Sequence, residues 1–158
     1  MNQRRFVSFD NWDEVLDELH RLQTGGYQAV GKWNLAQVCK HLNDWLSFPM
    51  DGFPVAPLPM RWMLMVLRVG FGKRLLRGIL EKGRMASGGP TMNNTVYPSD
   101  SATDADAVRQ LEDTIRRFDN FRGNIHPSPV FGAMDKATAA RLQLVHMAHH
   151  LSFLIPKT

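Results

Sequence analysis

The chain has 158 residues, a formal net charge of +4 and one cysteine, Cys39. This length predicts a single domain over residues 1–158, large enough to bury a core without a disulfide. One cysteine excludes an intramolecular disulfide and a thiolate-rich zinc cluster, and Cys39 is interpreted as a buried core thiol. Residues 1–6 contain two arginines and no following apolar stretch, so no secretory signal is indicated and a cytoplasmic protein is expected.

The first half of the chain contains two amphipathic patterns, with apolar residues three and four positions apart. The first predicts a helix over about residues 10–23, with Asn11 and Glu14 at capping-box spacing and two glycines after it. The second predicts a helix that opens at Trp33, has Asn34 as its N-cap and ends at Pro49.

Two more helices are predicted in the second half of the chain. Thr103 caps a helix that Gly123 closes, and Asp135 caps a final helix that Pro156 ends. The connection before them, residues 83–102, is long and rich in glycine, serine, proline and asparagine. Helical geometry places four residues on one face of the final helix, namely Leu142, His146, His150 and Phe153.

Residues 61–80 form a further segment, apolar in its first half and basic in its second half. It is too short and too charged to span a bilayer, so no transmembrane segment is predicted. The simplest interpretation is a helix packed over the others, with a dimer contact or a membrane-surface helix as alternatives. Four helices, long connections and no alternating strand pattern predict an all-α protein, a four-helix bundle with an extra helical segment around residues 61–80.

The histidines carry the clearest indication of chemistry. His146 and His150 lie four residues apart, so on a helix they can present their imidazoles to one point. His41 lies inside the apolar stripe of the second helix, so its ring is expected to face the core. If the second and final helices are neighbours, these three histidines can bind a divalent metal ion and leave one coordination position open, as in catalytic sites.

Other residues near this site have more than one possible role. His149 competes with His150 as a ligand, and it could instead line the pocket or shuttle protons. Gln37 and Asp44 fall on the His41 side of the second helix and could orient a ligand or a bound water, while Trp45 is interpreted as a core residue or a pocket wall. The alternative for the histidines is a core or pocket role without metal, since His-x-x-x-His matches often arise by chance.

Three patches carry a resemblance to a known superfamily. Residues 33–42, which begin with Trp33 and include His41, resemble the helix-2 motif of the DinB/YfiT-like superfamily, and residues 146–153 resemble its helix-4 motif. The loop 129–132 followed by Asp135 is similar to a loop in an uncharacterised branch of that superfamily. Many relatives continue the histidine pair with Arg-Gly-Gln, whereas this chain has Leu-Ser-Phe at residues 151–153.

The resemblance implies a four-helix bundle, a homodimer and a divalent metal, zinc or nickel, at His41, His146 and His150. It also implies hydrolase or thiol-dependent transferase activity. The leading hypothesis is therefore a metal-dependent enzyme that activates water or a small thiol for reaction with a small-molecule substrate. The alternative is a non-enzymatic dimeric binding or stress-response bundle in which the metal is structural or absent. Nucleic-acid binding through the basic residues 68–77 is disfavoured because no docking motif accompanies them.

Overall fold

The computed structural model describes residues 4–87 and 92–157. Residues 1–3 of the predicted N-terminal tail and residues 88–91 of the predicted long connection lie outside the described residues. The described chain is mostly helical, in agreement with the predicted all-α class, and it also contains two short strands. The elements in chain order are α1 (Trp12–Gly25), β1 (Tyr27–Ala29), α2 (Leu35–Asp51), α3 (Leu58–Leu67), α4 (Lys73–Lys82), α5 (Asp104–Asn120), α6 (Lys136–Leu151) and β2 (Leu154–Pro156). None of the described helices is both long and apolar enough to cross a membrane.

All four predicted N-caps begin a helix. Each cap side chain accepts a hydrogen bond from the backbone N–H three residues later, which satisfies a donor that the first helical turn leaves unpaired. At the start of α2 the capping box is complete, because the Gln37 side chain also accepts from the backbone N–H of Asn34. The other three caps are Asn11 for α1, Thr103 for α5 and Asp135 for α6.

The prediction that the second helix ends at Pro49 is wrong. α2 continues to Asp51, and Pro49 lies inside its last turn. Because proline lacks an N–H, the carbonyl of Trp45, four residues earlier, loses its helical donor. The Gln143 side chain of α6 donates to this carbonyl, with an Nε2–O distance of 2.9 Å. A side chain from a neighbouring helix thus replaces the hydrogen bond that the proline removes.

The predicted end of the final helix is also wrong. α6 ends at Leu151, so Phe153 lies beyond the helix instead of on its face. The Ser152 hydroxyl donates to the carbonyl of His149, which satisfies one acceptor of the last helical turn. The chain then forms β2, which pairs antiparallel with β1, so Pro156 belongs to a strand. Strands of three residues are too short to show an alternating pattern in the sequence.

The predicted extra segment is helical and longer than expected. A π-helical turn, Arg68–Gly72, joins α3 to α4 without a break. Gly72 is buried, and a Cβ atom there would overlap the Val130 carbonyl oxygen, so this close approach requires glycine. Neither α3 nor α4 contains a buried residue, and α3 exposes Trp62 and Val66. α4 contacts α6, so the predicted packing over the other helices is shown for α4.

The buried core is shared by α1, α2, α5 and α6. Each contributes fully buried side chains, for example Leu19, Leu42, Phe118 and Met147. Cys39 is also fully buried, as predicted, and burial raises the pKa of its thiol, which makes the reactive thiolate unfavourable. α2 packs against both α5 and α6. This is the arrangement that the predicted histidine site requires.

Candidate metal centre

Three histidines from α2 and α6 converge at one point. His41 comes from α2, and His146 and His150 lie one turn apart on α6. The Nε2 atom of His146 lies 3.4 Å from Nε2 of His41 and 3.1 Å from Nε2 of His150. One ring nitrogen from each residue lies within 4.8 Å of the others. The structure therefore brings together the three residues predicted as metal ligands, and they could hold a metal ion.

The separations of these nitrogens suit a small tetrahedral cation. With zinc–nitrogen bonds of about 2.1 Å, tetrahedral angles place two nitrogen ligands about 3.4 Å apart. The observed Nε2–Nε2 distances of 3.4 and 3.1 Å are close to this value. A neutral imidazole has one lone pair and one N–H, so it can bind one cation through the first while the second donates elsewhere. The donor set thus fits zinc or nickel, both of which accept imidazole.

Thr95 determines which nitrogen of His41 faces the other histidines. The backbone carbonyl oxygen and Oγ1 of Thr95 both lie 3.1 Å from Nδ1 of His41. The Thr95 hydroxyl donates its own proton to the Met92 carbonyl, so both threonine oxygens facing the ring are acceptors. Nδ1 must therefore carry the proton, and Nε2 presents a lone pair to His146. A second hydrogen bond of this kind is the usual way in which proteins orient a metal-binding histidine.

The side chains of Gln37 and Asp44 were predicted to orient a ligand or water, but among the described residues their hydrogen bonds go to partners other than the three histidines. Gln37 donates to the Tyr97 carbonyl and also completes the α2 capping box. Asp44 accepts a hydrogen bond from the Tyr97 hydroxyl, and burial raises the pKa of Asp44. Both residues therefore hold the segment that contains Thr95, which lies two positions before Tyr97. They affect His41 only indirectly, through Thr95.

Burial keeps the clustered imidazoles neutral. Desolvation lowers the pKa of His41 to about 4, although its hydrogen bond to Thr95 acts in the opposite direction. Desolvation also lowers the pKa of His146 and of His150, and the neighbouring imidazoles lower them further by opposing another positive charge. Neutral imidazole is the form that binds metal ions, so these three residues are available as ligands at neutral pH.

Aromatic rings enclose the histidines on two sides. Trp33 stacks on His150, with ring centroids 5.4 Å apart and planes inclined by 8°. Trp45 meets His146 edge to face, with centroids 5.8 Å apart. The sequence predicted Trp33 and Trp45 alike as core residues or pocket walls, and Trp45 lines the cavity described below. Both rings limit the access of water to the imidazoles from α2 and its N-terminal flank.

The histidine cluster adjoins a large cavity. His146 and Trp45 line a space of about 1050 Å³, which α4, α6 and the loop before α6 surround. Leu75 and Ile79 of α4 form part of its wall. A molecule bound in this cavity could therefore reach one edge of the histidine cluster.

The remaining histidines have other surroundings. His149 accepts a hydrogen bond on Nδ1 from Arg4, whose Nη1 lies 3.3 Å away, and burial lowers the pKa of His149. His20 is mostly exposed and pairs with Glu112, as expected of a surface residue. His126 lines the large cavity. The geometry therefore favours His150 over His149 as the third ligand.

Comparison with known proteins places the chain in a family. Residues 1–157 match the family described as "Protein of unknown function (DUF1569)", so the chain belongs to that family. No curated protein and no solved structure matches the chain. The family description names no activity, and function therefore has to be argued from the site itself.

Proposed function

We propose that this chain is a metal-dependent enzyme in which His41, His146 and His150 hold one divalent ion, zinc or nickel. The observation that carries the proposal is the convergence of three histidine ring nitrogens within 4.8 Å of one another, with Nε2 of His146 at distances from Nε2 of His41 and of His150 that suit a tetrahedral ion. The hydrogen bonds from Nδ1 of His41 to Thr95 support it, because they leave the Nε2 lone pair free for a ligand bond.

Three protein ligands leave one position of a tetrahedral ion for an outside molecule. An ion held by the three histidines would lower the pKa of a water molecule or a small thiol bound at this fourth position. The deprotonated water or thiol would then be a nucleophile near neutral pH. His146 lines the large cavity, so this cavity is the route by which substrate reaches the site. Trp33 and Trp45 shield the imidazoles and keep them neutral. The proposed reaction is hydrolysis or thiol transfer on a small molecule.

We further propose that α1, α2, α5 and α6 form a four-helix bundle of the DinB/YfiT-like type. The shared core of these helices supports this, as does the position of the histidines on the second and fourth of them. The α3–α4 segment would then be an insertion that forms one wall of the cavity.

A screen of metal-loaded protein tests the enzymatic proposal. Protein loaded with zinc or nickel is assayed for ester hydrolysis and for transfer of low-molecular-weight thiols, beside His146→Ala and the surface control His20→Ala. We expect the wild type to be active, because His146 would bind the ion and it also lines the cavity. His146→Ala should abolish this activity, whereas His20→Ala should leave it unchanged because His20 lies at the surface. Bound metal without activity on either reaction class would contradict the enzymatic role and support a structural ion.

A further inference from the structure

We propose that the cavity beside the metal centre binds anionic amphiphiles, molecules with an apolar chain or ring system and one negatively charged group. That such a molecule is the substrate rests on the proposed function, whereas its binding does not depend on a metal. Three features support the proposal: the walls of the cavity, the arrangement of α4 and the charges at the opening.

The cavity is large and mostly apolar. Its volume of about 1050 Å³ matches the upper end of small-molecule sites, which is about 1,000 Å³. Burial of apolar surface in such a space stabilises a complex in proportion to the area removed from water. The walls therefore select a ligand with a substantial apolar part. Prominent wall residues are Phe53, Phe71, Leu75, Ile79, Phe131 and Leu142.

α4 presents one face to the cavity. Arg74, Gly78 and Lys82 line the cavity at intervals of four residues, the spacing that keeps side chains on one side of a helix. Leu75 and Ile79 lie beside them on the same face. A Cβ atom at Gly78 would meet nothing within 4 Å, so open space remains between the two cationic side chains. This face combines an apolar strip with a positive charge near each end.

The charges around the cavity have one sign. Arg4, Arg74, Lys82 and Arg84 line it, and no aspartate or glutamate of residues 4–87 and 92–157 does. The last three of these cations are exposed, which places them where the cavity meets solvent. Within those same ranges, none of the three forms a salt bridge with a carboxylate. Cations at the opening of an apolar cavity attract an anion and disfavour a cationic ligand.

The same cavity reaches His146, so the two parts of the site are continuous. A ligand whose charged group is held by α4 can extend its uncharged part towards the histidine cluster. This arrangement would position a bond within the ligand at the metal centre, while the charged group stays at the opening.

Calorimetric titration of the full chain, stripped of metal with EDTA, tests the binding. The probes are decanoate and decyltrimethylammonium, each below its critical micelle concentration, and 1-decanol below its solubility limit. We expect decanoate to bind most tightly, and its affinity alone to fall strongly as salt is raised, because only its charge pairs with the cations. Equal affinity for the three probes, or no binding of decanoate, would overturn the proposal.

Charge reversal distinguishes binding of the anion by the cavity residues from a general effect of the net charge of the protein. The pair Arg74→Glu and Lys82→Glu should weaken decanoate binding by at least about tenfold, the scale of a lost charge-assisted hydrogen bond, and leave decanol unchanged. The matched control is Lys73→Glu with Arg77→Glu, which makes the same charge change on exposed residues of α4 that do not line the cavity. Equal weakening by both pairs would overturn the assignment of the site.

Filling the cavity tests its location. Gly78→Phe should abolish binding of both decanoate and decanol, whereas Gly70→Phe, in open space outside the lining, should not. α4 contains no buried residue, so the core is untouched, and circular dichroism checks the fold. Decanoate binding that survives Gly78→Phe would overturn the proposal. Metal content, measured on the same samples before stripping, tests the metal centre separately.

Discussion

Thr95 holds the His41 ring through two acceptor oxygens, and its role leads to a direct prediction. Thr95→Val keeps the backbone acceptor and removes the hydroxyl, so the orientation of the imidazole is held less firmly. We expect zinc affinity to fall by about tenfold, the lower end of the effect of such orienting residues. Competition with a chromophoric zinc chelator measures this.

Thr95→Ser is the matched control, because serine retains the hydroxyl that accepts from His41 and donates to Met92. It should bind zinc nearly as tightly as the wild type. Unchanged affinity in Thr95→Val would show that the backbone carbonyl alone orients the ring.

The low pKa of His41 predicts how the stability of the metal-free protein depends on pH. The imidazole titrates near pH 6.5 in the unfolded chain and near pH 4 in the folded chain, so only the unfolded chain takes up this proton between those values. The free energy of unfolding should therefore fall as pH is lowered from about 6.5 to about 4, by on the order of 3 kcal/mol for His41. Urea unfolding of EDTA-treated protein at several pH values measures this loss.

His41→Gln should reduce this pH dependence, because the variant lacks the group whose pKa burial lowers. His20→Gln, a change at an exposed position, serves as the control and should leave most of it. A free energy of unfolding that stays constant between pH 7 and pH 4 would contradict the argument.

The three clustered histidines could be predicted because their signal is local. His146 and His150 are one helical turn apart, and His41 interrupts an apolar stripe. Thr95 could not be predicted in the same way. It lies 54 residues from His41 in a short 3₁₀ turn, and such turns carry no hydrophobic periodicity. Its contact depends on tertiary structure.

At the level of the helices, the hydrogen bond between Gln143 and the Trp45 carbonyl compensates for Pro49. Gln143→Leu should leave this carbonyl without a partner and destabilise the protein by about 1–3 kcal/mol. In a Pro49→Ala background the alanine N–H can donate to the same carbonyl, so the same change should cost much less. Urea unfolding of the four proteins in this double-mutant cycle measures the difference.

An equal cost of Gln143→Leu in both backgrounds would contradict the compensation. Thermal unfolding curves of the single Pro49→Ala variant provide the control, since restoring a helical hydrogen bond should not destabilise α2.

Helix starts were easier to predict than helix ends. The starts depend on cap side chains within three residues, such as Asn34 and Asp135, which the sequence displays. The ends depend on partners from elsewhere in the chain. α2 passes Pro49 because α6 supplies a donor, and α6 stops at Leu151 because the following residues pair with β1. Neither partner is visible in a local pattern.

At the scale of the whole molecule, the helical class could be predicted from the amphipathic patterns, whereas the cavity could not. Its wall depends on the placement of α4 against α6 and on the close approach of Gly72 to Val130. Both are contacts between segments distant in sequence. The segment over residues 61–80 was predicted as helical, but its mixed apolar and basic composition fitted several roles, and only the structure showed that α4 lines a cavity.

The measurement that tests the central claim most directly is metal content by inductively coupled plasma mass spectrometry, on protein purified without a histidine tag. Wild type should carry about one zinc or nickel ion per chain, as a single three-histidine site requires. His41→Ala, His146→Ala and His150→Ala should each lose it, while His149→Ala should retain it. A wild type that stays free of metal after incubation with zinc or nickel, or metal content unchanged in the three ligand variants, would contradict the account.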